Sequence, residues 1–172
     1  MLQLIRIFWD ICRLKTGPQN LPKGRYLLIA VVLAGIVVDS FSTAIFIPKL
    51  SITELIKVVT IYNISLLVAV YFLLRVIGYT ERAIQTVTAI AGTGLLISLV
   101  LLPGLLMMDS ANEQVKSFAI FILIDNVWRI AVNAHILRHA LSVSFLMAMI
   151  LSVSYLLFGV LVADVLLPAQ SH

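Results

Sequence analysis

Long apolar stretches alternate with short polar links along this chain, a pattern that predicts a bundle of membrane-spanning helices. A helix that crosses the hydrocarbon core of a bilayer needs about 20 mostly apolar residues. Stretches of roughly that length occupy residues 26–47, 55–79, 83–108, 117–137 and 141–166. We therefore predict an all-α polytopic integral membrane protein with about five transmembrane helices. Four spans are the alternative, because the link between the last two stretches is very short.

The residues before the first long apolar stretch predict a separate amphipathic helix. Over residues 2–16, charged and polar side chains gather on one side of a helical wheel, and apolar side chains cover the other. Such a helix is too short and too charged to span a bilayer but suits the membrane interface; packing against the protein's own cytoplasmic face is the alternative. Gly17 and Pro18 are expected to end it. The membrane-interface residues of this helix and its connector are Arg6, Trp9, Arg13, Lys23 and Arg25.

These patterns divide the chain into three parts. They are a cytoplasmic amphipathic helix and proline-containing connector over 1–25, a five-helix transmembrane domain over 26–167, and a short tail over 168–172. Within the transmembrane domain, Ser51 or Thr53 is placed to cap the second span. The pair Pro103 and Gly104 predicts a kink or an early end of the third span.

Composition excludes an ordinary soluble domain and a disordered chain. Hydrophobic residues make up 62% of the chain and charged residues only 12%, whereas soluble domains contain about 45–50% and about 25%. The excess of 12 Lys and Arg over 8 Asp and Glu does not require a nucleic-acid partner, because Lys and Arg mark the cytoplasmic loops of polytopic proteins. Most of them fall on one side of the predicted topology, which places the N-terminus in the cytoplasm and the C-terminus outside.

Ionisable residues inside the spans are the informative polar positions. Asp39 lies in the first span, and Asp125 and Arg129 lie in the fourth. A charge at bilayer depth costs about 2.5–3.5 kcal/mol on insertion scales, so these groups need partners. Asp125 and Arg129 are four residues apart and can meet on one helix face, and Asp39 is placed to be a second carboxylate for Arg129. The predicted buried polar cluster comprises Asp39, Asn63, Asp125, Asn126, Arg129 and Asn133.

Two functions are compatible with this cluster. The first is a non-enzymatic membrane scaffold or accessory subunit that acts through helix–helix contacts, in which the cluster fixes helix register. Its partners are the lipid bilayer and either another membrane protein or a second copy. The alternative is a small ion or solute transporter or channel in which the cluster lines a wet path.

The sequence contains no recognisable catalytic or cofactor-binding motif. It has no phosphate-binding glycine loop, no CxxC and no GxSxG pattern. His135 and His139 have a spacing that can share a metal, but no further ligands accompany them in the sequence. The single cysteine, Cys12, cannot form an internal disulfide. We expect no enzyme, no cofactor and no metal site.

The layout resembles that of the Yip1-type family of small membrane proteins. The features that carry this resemblance are the amphipathic lead, the proline-containing connector and five closely spaced spans. The connector over 17–22 and the turn over 135–141 are also similar to segments of uncharacterised small proteobacterial inner-membrane proteins. The resemblance implies the five-span topology, a non-enzymatic role and a bacterial inner-membrane location, and it carries over no catalytic residue.

Overall fold

The computed structural model describes residues 2–47, 50–106 and 114–166, which are almost entirely helical. The helices are α1 (Leu2–Cys12), α2 (Arg25–Phe46), α3 (Ile52–Ile77), α4 (Thr80–Leu106), α5 (Gln114–Leu141) and α6 (Phe145–Leu166), with a 3-10 turn at Pro18–Asn20. Five of them, α2 to α6, are long and apolar enough to cross a membrane. The predicted fold class, an all-α membrane protein with an additional N-terminal helix, is confirmed.

Most predicted helix ends differ from those in the structure by one to four residues. α5 ends at Leu141 rather than residue 137, and α6 begins at Phe145 rather than residue 141. α1 ends at Cys12 rather than residue 16, because Leu14 adopts a left-handed conformation (φ 61°) that ends the helix before Gly17 is reached.

α4 continues through Pro103 to Leu106, so of the two predicted effects of this proline, a kink or an early end, the early end is not observed. Proline is tolerated inside a membrane-spanning helix, because neighbouring groups can satisfy the backbone carbonyl that proline leaves without a partner. α5 begins at Gln114 rather than residue 117. The predicted tail lies outside the described residues.

The start of α3 is fixed by a capping box. The Ser51 hydroxyl accepts a hydrogen bond from the backbone N–H of Glu54, and the Glu54 carboxylate accepts one from the backbone N–H of Ser51. Both contacts satisfy backbone donors that the first helical turn leaves free. Of the two predicted caps, Ser51 is therefore the cap, and Thr53 lies within the helix.

Replacing Ser51 by alanine should lower the free energy of unfolding by about 1 kcal/mol, the usual cost of losing an N-cap side chain. Thermal unfolding of the detergent-solubilised protein measures the change. Thr53→Ala is the matched control, because Thr53 is an exposed residue of the same first turn and does not cap the helix. Equal destabilisation by the two substitutions would contradict the role of the capping box.

α4 is the central helix of the bundle. It packs against α1, α2, α3 and α5, while α6 packs against α3 and α5. Helices α3 to α6 thus form a closed ring, and α2 lies against α3 and α4. Large apolar side chains such as Leu33, Val68 and Leu161 remain exposed on the outside of the bundle. Such a surface requires an apolar solvent, as expected of an integral membrane protein.

The amphipathic helix α1 is docked on the bundle by its apolar face. Phe8, Ile11 and Cys12 are buried against α4 and α5, and the Cys12 carbonyl accepts a hydrogen bond of 3.1 Å from Trp128 Nε1. Two placements were predicted for this helix, at the membrane interface or against the protein itself. The structure shows the apolar face of α1 packed against the protein itself. The predicted membrane-interface residues Arg6, Trp9, Arg13, Lys23 and Arg25 are all exposed.

Candidate functional site

A chain of polar contacts joins four membrane-spanning helices. Asp39 of α2 accepts hydrogen bonds from Asn63 Nδ2 of α3 at 3.2 Å and from Ser98 Oγ of α4 at 3.0 Å. The Ser98 hydroxyl in turn accepts one from Arg129 Nη2 of α5 at 2.8 Å. Arg129 Nε also donates to both carboxylate oxygens of Asp125, at 2.8 and 2.9 Å. These five residues form what we call the polar network.

The structure corrects how Asp39 is connected to Arg129. The ion pair of Arg129 is with Asp125, one helical turn away, as their spacing predicts. Asp39 reaches the guanidinium through the Ser98 hydroxyl rather than directly. Ser98 was not among the predicted cluster residues, because a serine in an apolar helix is equally a packing residue.

Two predicted members of the cluster lie near the network and make other contacts. Asn126 Nδ2 donates to the carbonyl oxygen of Ile122 in its own helix, at 2.8 Å. Asn133 lies one turn beyond Arg129 along α5. Both side chains line the same cavity as the network. The predicted polar stripe of α5 therefore faces the interior of the bundle.

A cavity of about 420 Å³ lies beside the polar network, and we call it the chamber. Its polar wall includes Asp39, Tyr62, Asn63, Ser98, Asp125, Asn126, Arg129, Asn133, Ser152 and Tyr155. Apolar residues near one end of the bundle, among them Ile47, Leu105 and Phe121, line its other part. The side chains of Arg129 and Asp125 retain 31% and 25% of their surface exposed. The ion pair thus remains accessible from the chamber.

α6 contributes residues that sequence reasoning did not single out. Ser152 and Tyr155 line the chamber, and Ser152 Oγ donates to the carbonyl oxygen of Ile130 at 2.9 Å. Gly159 lies on the same face, where a side chain would collide with the Tyr62 hydroxyl. The three residues recur at helical spacing along a mostly apolar helix, which was the available signal.

α1 packs behind the chamber wall. Phe8 lies against Gly92 of α4, and the Cys12 thiol lies 3.9 Å from the carbonyl oxygen of Thr93. The next residue, Gly94, lines the chamber and lies next to the Arg129 guanidinium. Helix α1 and the polar network therefore contact the same part of α4.

The two histidines of α5 lie at the end of the bundle away from Phe121. Their ring centroids are 4.4 Å apart, and His135 Nε2 lies 3.0 Å from the carbonyl oxygen of Thr16 in the connector. Across the described ranges, no group of three or more His, Cys, Asp and Glu side chains is arranged to hold a metal ion. His135 instead contacts the segment that follows α1.

No protein-family model matches this chain, and no curated protein or solved structure matches it significantly. The Yip1-type resemblance accordingly stays a prediction. The chemistry of the chamber is therefore the basis for inferring a function.

Proposed function

We propose that this protein is a small transporter or channel for an ion or small polar solute, and that the chamber holds its binding site. The observation that carries the proposal is an ion pair that lines an open cavity at bilayer depth. Ionisable groups inside membrane domains are costly, and they typically line substrate or ion pathways. A purely structural ion pair would gain more from close packing than from the 420 Å³ of adjoining space.

The charge of the network favours a cationic solute. Its two carboxylates and one guanidinium give a formal charge of −1 when all three are ionised. Asp125 is paired directly with Arg129, whereas the hydrogen-bond donors to Asp39 are the neutral groups of Asn63 and Ser98. The uncompensated negative charge is therefore centred on Asp39. A monovalent metal cation, a proton or a small ammonium group would balance it.

The membrane orientation belongs to the same proposal. The excess of Lys and Arg at one end favours a cytoplasmic N-terminus and an external C-terminus. The resemblance to small proteobacterial membrane proteins favours a bacterial inner membrane. The apolar part of the chamber, near Ile47 and Phe121, would then face the outside. α1 would lie on the cytoplasmic side of the polar network.

A scaffold or accessory subunit is the second candidate. This function is favoured because the polar network is formed entirely by residues of this chain. Its contacts among α2, α3, α4 and α5 would hold these helices in one register. In this case the exposed apolar helix faces would contact another membrane protein or a second copy. Neither candidate function includes an enzymatic step.

Asp39→Asn separates these two functions. In liposomes, the wild-type protein should conduct at least one of Na⁺, K⁺, H⁺ or methylammonium, and Asp39→Asn should reduce that flux by about tenfold or more, since it removes the charge that balances the cation. Ion-sensitive dyes inside the liposomes measure the flux. Gel filtration checks that each variant is folded.

Asp164→Asn is the matched control for this experiment. Asp164 is an exposed acid on α6, and it does not line the chamber. Its substitution should leave the flux unchanged. Absence of flux in the wild-type protein for all four cations would contradict the transport proposal and favour the scaffold.

A further inference from the structure

A second cavity lies at the opposite end of the bundle from Ile47 and Phe121. Its volume is about 540 Å³, and the residues around it include Arg82, Gln85, Thr86, Arg138, His139 and Gln19. We call it the basic pocket. We infer that the basic pocket is a binding site for a phosphate group, carried either by an anionic phospholipid or by free inorganic phosphate. This inference does not rest on the proposed transport function.

The side chains around the basic pocket suit an anion. Arg82 and Arg138 supply two guanidinium groups, whose planar forks match phosphate oxygens in pairs. Gln19 adds a neutral amide to the wall, whereas the Thr86 hydroxyl is engaged with the Arg82 carbonyl oxygen at 2.8 Å. None of the residues found to line the pocket in the described part of the chain is acidic, although the exposed Glu81 precedes Arg82 in sequence. The pocket is therefore positively charged overall.

The walls of the basic pocket are held in place by contacts between distant parts of the chain. Arg82 Nη1 lies 3.4 Å from the carbonyl oxygen of Ala140 and 3.3 Å from Ser142 Oγ, beyond the end of α5. The Arg82 guanidinium carbon also lies 5.4 Å from the centre of the Tyr79 ring. These contacts engage Nη1, and a guanidinium has donors on three nitrogens. Arg82 is therefore positioned before a ligand arrives.

The connector forms the remaining wall and is fixed from two sides. Gln85 Nε2 donates to the carbonyl oxygen of Leu21 at 2.6 Å. On the other side, Gly17 lies so close to His139 that an added side chain would overlap the imidazole ring. The connector thus closes over the start of α4 and the end of α5. Three segments that are separate in sequence converge on a single basic cavity.

The location of the basic pocket brings it near phospholipid headgroups. It lies where α4 begins and α5 ends, at one end of two membrane-spanning helices. Basic pockets between transmembrane helices on the cytoplasmic side bind anionic headgroups in other membrane proteins. The exposed Lys23 and Arg25 near the start of α2 add positive charge to this end. An inorganic phosphate ion offers the same oxygens without acyl chains.

Arg138→Gln tests the site in the full-length protein, purified in a neutral detergent. Phosphatidylglycerol should raise the wild-type Tm in a saturable way, and phosphatidylcholine should not. The apparent Kd, taken from the concentration dependence of Tm, should rise about tenfold in Arg138→Gln, as expected for loss of a charge-assisted hydrogen bond. Arg138 is exposed, so this variant should fold normally. Inorganic phosphate at constant ionic strength is the second probe.

Arg75→Gln is the matched control, because Arg75 is an exposed arginine near the end of α3 that does not line the pocket. The apparent Kd of Arg75→Gln for phosphatidylglycerol should stay close to that of the wild-type protein. A response to inorganic phosphate that depends on Arg138, without a stronger response to phosphatidylglycerol, would identify free phosphate as the ligand. The inference would be overturned if the Tm of the wild-type protein responded to neither probe. It would also be overturned if Arg138→Gln and Arg75→Gln weakened ligand binding equally. Arg82→Gln is a supporting variant, since Arg82 also holds Ala140 and Ser142.

Discussion

Arg129→Met is expected to lower the free energy of unfolding by about 3 kcal/mol, the low end of the cost of breaking a buried ion pair. The substitution leaves the Asp125 carboxylate without its cationic partner and removes the donor to Ser98. Asp39 then loses the link to a positive charge that Ser98 provides. We expect a cost at the low end of this range because the side chains of Arg129 and Asp125 keep 31% and 25% of their surface exposed. Thermal unfolding in detergent and the monodisperse fraction on gel filtration measure the effect.

A second substitution in the same chain should reverse much of this loss. Asp125→Asn combined with Arg129→Met removes the uncompensated carboxylate, so the double variant should be more stable than Arg129→Met alone. Arg75→Gln, an exposed arginine outside the network, should have little effect. If Arg129→Met were as stable as the wild-type protein, the polar network would not stabilise the bundle.

Gly92→Ala is expected to release α1 from the bundle. A methyl group at this position would overlap the ring of Phe8, which is buried between α1 and α4. Packed interiors accommodate added volume only by moving side chains or backbone. Because α1 is a short helix held mainly by its apolar face, we expect the whole helix to move away, which would expose Cys12.

Cys12 reports this movement, because it is the single cysteine of the chain. Burial raises the pKa of its thiol from 9.0 to about 12, although the charge of Arg129 partly opposes the increase. The thiolate is the reactive form, so maleimide labelling near neutral pH should be slow in the wild-type protein and faster by up to about a thousandfold in Gly92→Ala. With rising pH, labelling of the released thiol should level off near pH 9, whereas that of the docked thiol should continue to increase.

Two further variants control this experiment. Gly35→Ala adds the same methyl group in α2 at a position with open space around it, so it should not change Cys12 labelling. Phe8→Ala together with Gly92→Ala removes the colliding ring and should slow labelling relative to Gly92→Ala alone. Fast labelling of the wild-type protein would contradict docking of α1.

The sequence predicted the part of the candidate site that depends on one helix at a time. The four-residue spacing of Asp125 and Arg129 predicted their ion pair, and their depth marked them as requiring partners. The sequence also placed Asn63 in the same polar cluster as Asp39. In the structure, these two residues are joined by a hydrogen bond of 3.2 Å. Ser98 has no such signal of its own, because a serine in an apolar helix is equally a packing residue. Only its contacts with Asp39 and Arg129 give it a place in the network.

The fold class and the five membrane-spanning segments follow from the sequence alone, because the bilayer imposes a length and an apolar composition on each span separately. The contacts between residues far apart in the chain follow only from the tertiary structure. Trp128 and Cys12 are 116 residues apart, and Ser98 and Asp39 are 59 apart. Such contacts depend on how helix surfaces fit together, and each surface is fixed only when its neighbours are in place. The chamber, the docking of α1 and the basic pocket all arise from that fit.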